Sequence, residues 1–131
     1  MIVDTSALLA ILFREPDHAD FVTALAGDSV RMISAVSVFE AVCVTYHRQG
    51  LAGLSDLDAL INLFALRVMP FTTGQAALAR DAFLYFGKGS HPARLNMGDC
   101  CSYALARETG EPLLFKGNDF TQTDIQPALA L

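Results

Sequence analysis

Short apolar runs alternate along the chain with longer stretches in which apolar residues recur every three or four positions, and polar residues or glycines mark the changes between them. The short runs read as buried strands and the longer stretches as amphipathic helices. Ile2-Val3 predicts a first strand, and Ser6 to Phe13 a helix stopped at Glu15-Pro16, since proline disfavours helical geometry in the residue before it. His18 to Leu25 predicts a second helix, with Phe21, Val22 and Leu25 at helical spacing and Gly27 as its stop. Arg31-Met32-Ile33 follows as a strand, and Ser34 opens a helix that runs to about Arg48 and closes at Gly50. Ser37 and Glu40 are spaced as a capping box, and Ser55 and Asp58 repeat that spacing ahead of Leu57, Leu60, Ile61 and Phe64.

Val68-Met69-Pro70 predicts a third strand, after which Thr72 or Thr73 caps a helix over Gln75 to Phe86. Residues 87 to 96, rich in glycine and basic side chains, form a loop. Asn96 then caps a further helix that ends at Gly110, and Leu113-Leu114-Phe115 is the fourth strand. Strands that are apolar throughout and separated by helices imply a parallel sheet covered on both faces. The expected fold is an α/β three-layer sandwich with a short, mostly parallel central sheet, in one domain spanning 1–131.

Composition narrows the picture. With 53% hydrophobic and 18% charged residues, the 131-residue chain is expected to be a compact globule rather than a disordered or coiled-coil protein. No apolar run approaches the ~20 residues of a membrane span, and no basic stretch leads into the first apolar one, so a soluble protein without a secretory signal is expected. Cys43, Cys100 and Cys101 are odd in number and lack a C-x-x-C pair, which suits the reducing cytoplasm better than a disulfide scaffold or zinc site. A net charge of −5 excludes a broad basic face for nucleic acid. It leaves open a local site where bound cations reverse the sign.

Such a site is foreshadowed by four acids. Asp4 ends the first strand, Glu40 lies about a turn into the helix after the second, Asp99 opens a later helix, and Asp119 follows the last strand. All helices of a parallel sheet leave from one edge, so acids at these places can converge. Taken singly, each also reads as a helix cap or a solvated turn residue. Together they repel unless a cation joins them, and Mg²⁺ or Mn²⁺ suits an all-oxygen set. Such a site fits hydrolysis of phosphodiesters by a metal-activated water. No G-x-S-x-G elbow, phosphate loop or dinucleotide glycine pattern occurs, and His18, His47 and His91 are scattered.

The segments IVDTSALLAIL, ISAVSVFEA, GKGSHPARLNMGDCCSYALA and PLLFKGNDFTQTDI, in this order, resemble the PIN-domain ribonucleases and, among them, the VapC-type toxins of toxin–antitoxin pairs. The resemblance implies an Mg²⁺- or Mn²⁺-dependent endoribonuclease that cuts RNA, forms homodimers and is silenced by a cognate antitoxin. It carries the family's core acids onto Asp4, Glu40 and Asp99. The fourth departs from pattern: where T-x-D-x-x-F would place an aspartate three residues before Phe120, this chain has Gly117. Asp119 is the provisional substitute, with Asn118 and Asp124 as weaker choices.

Thr5 or Ser6 is expected either to orient Asp4 or to cap the first helix. Lys88, His91, Arg94 and Lys116 are phosphate-contact candidates that read equally well as solvated charges. The helices around Leu8 to Phe13 and Leu57 to Phe64 are expected to offer apolar positions to a second copy or an antitoxin, though core packing explains them as well. Two other classes compete: a PIN-like scaffold that binds RNA or protein without cutting, and a phosphate-signalling receiver domain. The receiver lacks support because paired acids after the first strand and an aspartate after the third are both missing.

Overall fold

The computed structural model describes residues 1–130. Its elements are β1 (Ile2–Val3), α1 (Thr5–Leu12), α2 (His18–Gly27), β2 (Met32–Ser34), α3 (Ala35–Leu63), β3 (Arg67–Met69), α4 (Thr73–Phe86), α5 (Met97–Thr109) and β4 (Leu113–Leu114). The strands lie side by side in the order β3-β2-β1-β4, all pairings parallel, with Ile2 opposite both Met32 and Leu113. This is the three-layer α/β sandwich expected from the alternation of runs.

The pleat divides the sheet between two cores, because successive side chains leave a strand on opposite faces. Ile2, Met32 and Leu113 pack with Phe86, Leu95, Tyr103 and Leu105 on the α4–α5 side. Val3, Ile33 and Leu114 pack with Leu8, Leu25 and Leu57 on the side of α1, α2 and α3. Each fully buried aliphatic side chain contributes about 1.5–3 kcal/mol, so even two-residue strands are firmly placed. The Met1 ammonium further anchors β1 through Asp28 at 3.0 Å and Glu111 at 2.9 Å.

Several expectations are corrected. Arg67 and Val68 are exposed, so β3 is an open edge and the two-sided cover stops short of it. Ser37 and Glu40 do not form a capping box: Ser34 caps α3 by accepting from Val36 N–H, and Ser37 is buried inside the helix. Nor does Ser55 open a helix, since the helical run already resumes after Gly50, which breaks it with φ 65 and ψ −154. A glycine free to enter the left-handed region interrupts a helix more strongly than a spaced Ser–Asp pair can start one. The apolar positions expected on the surface of two helices are largely core: Leu8, Ile11, Leu57 and Phe64 are buried, and only Leu63 stands well exposed. Of the two threonines expected to cap α4, Thr72 does so by accepting from Gln75 N–H, as the sequence allowed.

Candidate active site

β1 runs straight into the site. Asp4 follows its last residue and caps α1 itself: its Oδ2 accepts from the Ser6 backbone N–H at 2.9 Å and the Ser6 hydroxyl at 2.6 Å. Its Oδ1 accepts from the Ser102 hydroxyl at 2.6 Å. Ser102 spends its one proton there, so the 3.1 Å contact between Ser37 and Ser102 is a bond donated by Ser37. Ser6 also accepts from Lys116 N–H at 3.0 Å, which ties the end of β4 to the same carboxylate. Of the two hydroxyls expected to orient Asp4, Ser6 does so. Thr5 instead donates to the Ser37 carbonyl at 3.1 Å.

Asp99 stands in the first turn of α5, in a complete capping box. Its backbone N–H donates to Asn96 Oδ1 and its Oδ2 accepts from Asn96 N–H, both at 2.9 Å. Oδ1 is left without a partner among the described residues. Burial above all, and then the charges of Asp4, Asp119 and Glu40, push this carboxyl up from an ordinary 3.8 to about 7, against the pull of the Asn96 N–H. Asp4, Glu40 and Asp119 are therefore each within electrostatic reach of Asp99 at the N-terminus of α5.

Glu40 reaches this point because Gly98 has no side chain. A Cβ on Gly98 would stand 2.8 Å from the Glu40 carboxyl carbon, well inside van der Waals contact. Gly98→Ala is accordingly expected to leave melting unchanged or slightly raised, since alanine favours a helix by up to about 1 kcal/mol. Any RNA cleavage should fall roughly ten- to a hundredfold, the scale seen when a metal ligand loses its support. Parallel melting and cleavage assays check this; unchanged cleavage would show that Glu40's position is immaterial.

Asp119 is exposed on the loop after β4, while Asp124 is engaged elsewhere, accepting from the Tyr103 hydroxyl at 2.7 Å and pairing with Arg107 at 3.4 Å. Gly117 has φ 94, a conformation L side chains rarely adopt, so an aspartate at this position would be strained in the loop as it stands. Among the described residues, no three acidic, histidine or cysteine side chains are grouped closely enough to hold a metal ion as they stand. Burial foremost pushes the neighbouring Cys100 thiol up to about 11, and raises Cys101 as well, so neither offers a thiolate near neutral pH.

The basic residues separate into two groups. Lys88, His91 and Arg94 surround one hollow of about 420 Å³. Lys116 is not free for phosphate: its ammonium is held by Glu15 and, at 2.8 Å, by Asp17. That ion pair lowers the Asp17 carboxyl below its ordinary 3.8. Lys116→Gln is thus expected to leave RNA affinity unchanged and to lower the melting temperature at pH 7. A depressed acid stabilises above its ordinary pKa, so the deficit should fade as pH falls below 3.8. A clear drop in RNA affinity at constant salt would return Lys116 to the phosphate contacts.

Ser102 and Gly98 carry no expectation from sequence, and Ser37, expected to cap α3, instead hydrogen-bonds Ser102. The available signal was a hydroxyl residue among apolar neighbours in α5, where all of Cys100 to Ala106 is buried.

The PIN domain family model matches residues 1–126. The chain belongs to the PIN domain family. Within it, the chain is of the VapC type: it is 51% identical over 130 residues, 98% of both chains, to VapC ribonuclease Mb0625 of Mycobacterium bovis and to Ribonuclease VapC28 of Mycobacterium tuberculosis. It is 45% identical to Ribonuclease VapC of Mycolicibacterium smegmatis, across 95% of this chain and 97% of that one. Its PIN fold also matches the crystal structure of Mycobacterium tuberculosis VapC20, described as a sarcin-ricin loop cleaving toxin, with a TM-score of 0.77 over 95% of each chain at 20% identity.

Proposed function

We propose that this PIN protein is an endoribonuclease toxin that hydrolyses RNA phosphodiesters with Mg²⁺ or Mn²⁺ held by Asp4, Glu40, Asp99 and Asp119. A cognate antitoxin holds it silent, and it works as a cytoplasmic homodimer. The observation that supports this reading is the buried Asp99 at the start of α5, whose carboxyl is pushed up to about 7 by burial first and then by the charges of Asp4, Asp119 and Glu40. A buried carboxyl with like charges acting on it favours a bound cation.

The donor set fits a hard divalent ion. Every candidate ligand is a carboxylate, and Glu40, Asp119 and Oδ1 of Asp99 carry no hydrogen bond among the described residues. An Mg²⁺ ion keeps several waters, so a loosely gathered set of acids suits it better than a closed cage. When bound, it supplies a water of lowered pKa and neutralises charge building at phosphorus.

The chain's own contribution is positioning. Ser6 and Ser102 fix both oxygens of Asp4, the Asn96 N–H fixes one oxygen of Asp99, and the side-chain-free Gly98 admits Glu40. Thiols held protonated and an absent serine elbow argue against a protein nucleophile at the site, and the proposed attacking group is a water rather than the RNA's own 2′-hydroxyl. Lys88, His91 and Arg94 lie on the adjoining loop as contacts for flanking phosphates.

The apolar surface supports protein partners. Phe71, Phe83 and Met97 are exposed around an apolar groove of about 550 Å³ beside the α5 N-terminus, and Phe39 is 68% exposed one residue from Glu40. A partner seated there would close off the acids. No helix of the described residues is long and apolar enough to cross a membrane.

The test is incubation of the purified, antitoxin-free protein with mixed RNA and Mg²⁺ or Mn²⁺, and in EDTA. Cutting that requires the metal supports the proposal. Absence of cutting by the wild type would favour a binding scaffold.

A further inference from the structure

An open cavity of about 670 Å³ lies beyond the acids, between α4, α5 and the loop that follows β4. Asp99, Tyr103 and Arg107 succeed one another at intervals of four residues, so they share one face of α5 at about 6 Å per step. The cavity therefore begins one helical turn from the acid cluster. Its volume is within the roughly 300–1,000 Å³ typical of small-molecule sites.

The lining has two characters. Buried Phe86 and Tyr103 form an aromatic floor, with rings 5.8 Å apart. Above it stand His91 and the 70% exposed Tyr85, their ring planes within 30° and their centres 6.2 Å apart. Ala93 N–H donates to His91 Nδ1 at 3.0 Å, which leaves Nε2 as the proton-bearing nitrogen of the neutral ring. Around the edge are hydrogen-bonding groups of both kinds. Asp81 contributes a carboxylate with no hydrogen bond or ion pair among the described residues, and Arg107 is steadied by Asp124 at 3.4 Å while retaining donors to spare.

Flat aromatic faces combined with polar edge groups are how proteins hold bases splayed out of single-stranded RNA. The hollow lined by Lys88 and Arg94 adjoins this cavity through their shared residue, His91. Neither cation is ion-paired among the described residues, so both are available to a phosphate. Among the bases, guanine alone offers two adjacent N–H donors that fork onto a carboxylate, and its O6 and N7 accept from arginine.

We propose that this cavity receives one unstacked guanine of the RNA strand, its donor edge on Asp81 and its acceptor edge on Arg107, while Lys88 and Arg94 hold a neighbouring phosphate. The proposal rests on the RNA-cutting role above and adds a specificity determinant to it. The cavity would select which phosphodiester lies at the acids.

The test measures binding without cutting. Fluorescein-labelled hexaribonucleotides of uridine, with a single guanosine, adenosine or cytidine placed at each position in turn, are titrated in EDTA against the whole protein and its Asp81→Asn and Tyr85→Ala variants. Tyr85 and Asp81 are exposed, so both variants are expected to fold. At one position guanosine should tighten binding at least fivefold over hexauridine, and adenosine and cytidine less than twofold. Asp81→Asn should bring guanosine and adenosine within twofold of each other, and Tyr85→Ala should lower affinity for the preferred hexamer at least fivefold.

No base preference, preference for a base other than guanine, or a guanine preference that survives both variants would overturn the proposal. Cleavage is read in a separate assay. Failure of the nuclease reading therefore remains distinguishable from failure of the guanine site.

Discussion

Replacing Asp99 with asparagine is expected to abolish RNA cutting while making the metal-free protein more stable. The loss should be on the order of 10³-fold, the scale associated with removing a group that acts on transition-state charge. The gain follows from the same residue. Its carboxyl is pushed from 3.8 up to about 7, first by burial and then by Asp4, Asp119 and Glu40. A raised acid holds its proton more tightly in the folded state than in the unfolded one, so stability declines as pH rises from about 4 to 7 and the full cost remains above 7.

Asparagine removes that cost and keeps an oxygen for the Asn96 N–H, leaving the capping box intact. At pH 8 without metal, Asp99→Asn should melt roughly 3–8 °C above wild type, given about 2–4 °C or somewhat more per kcal/mol for a domain of this size. The difference should shrink as pH is lowered and vanish near pH 4. Added Mg²⁺ should raise the wild type more than the variant. Equal melting in every condition would reduce Asp99 to a simple cap.

Asp4→Ala is the second large effect, and here stability and activity fall together. The change deletes the α1 cap, worth about 1 kcal/mol, and leaves the buried Ser102 hydroxyl and the Ser6 N–H without their acceptor, at roughly 1–3 kcal/mol for a stranded group. A loss of about 2–4 kcal/mol is expected, with no detectable cutting. Asp4→Asn separates the two roles. Its oxygen can serve Ser6, and its amide can donate to Ser102, which then reverses its bond with Ser37. That variant should melt within a few degrees of wild type and still not cut. Equal instability of both variants would make Asp4 structural only, provided cutting survives in the fraction that remains folded.

The layers of the fold were legible because period and burial coincide. Ile2-Val3, Met32-Ile33 and Leu113-Leu114 divide cleanly between the two cores, and Asn96 and Gly110 bound α5 as their chemistry suggests. Capping boxes read from spacing alone were less secure: Ser37 fits the pattern but lies buried beneath the site, hydrogen-bonded to Ser102. The acids were candidates because strand ends of a parallel sheet face one way. Their supports were not, since Ser102 meets Asp4 across 98 residues of sequence and Gly98 matters only through the carboxylate it admits. Lys116 shows the converse. Its position suggested a phosphate contact, whereas Glu15 and Asp17, distant in sequence, neutralise it.

In the proposed reaction a water activated at the acids, and not the RNA's own 2′-hydroxyl, attacks phosphorus. The most direct measurement is the chemistry of the new RNA ends, mapped after cutting by the purified protein with Mg²⁺ or Mn²⁺. A simple phosphate on one new end, a free hydroxyl on the other, and continued cutting when the 2′-hydroxyl at the scissile position is replaced by hydrogen are expected. Ends bearing a 2′,3′-cyclic phosphate, or cutting that persists undiminished in EDTA, would contradict the proposed reaction.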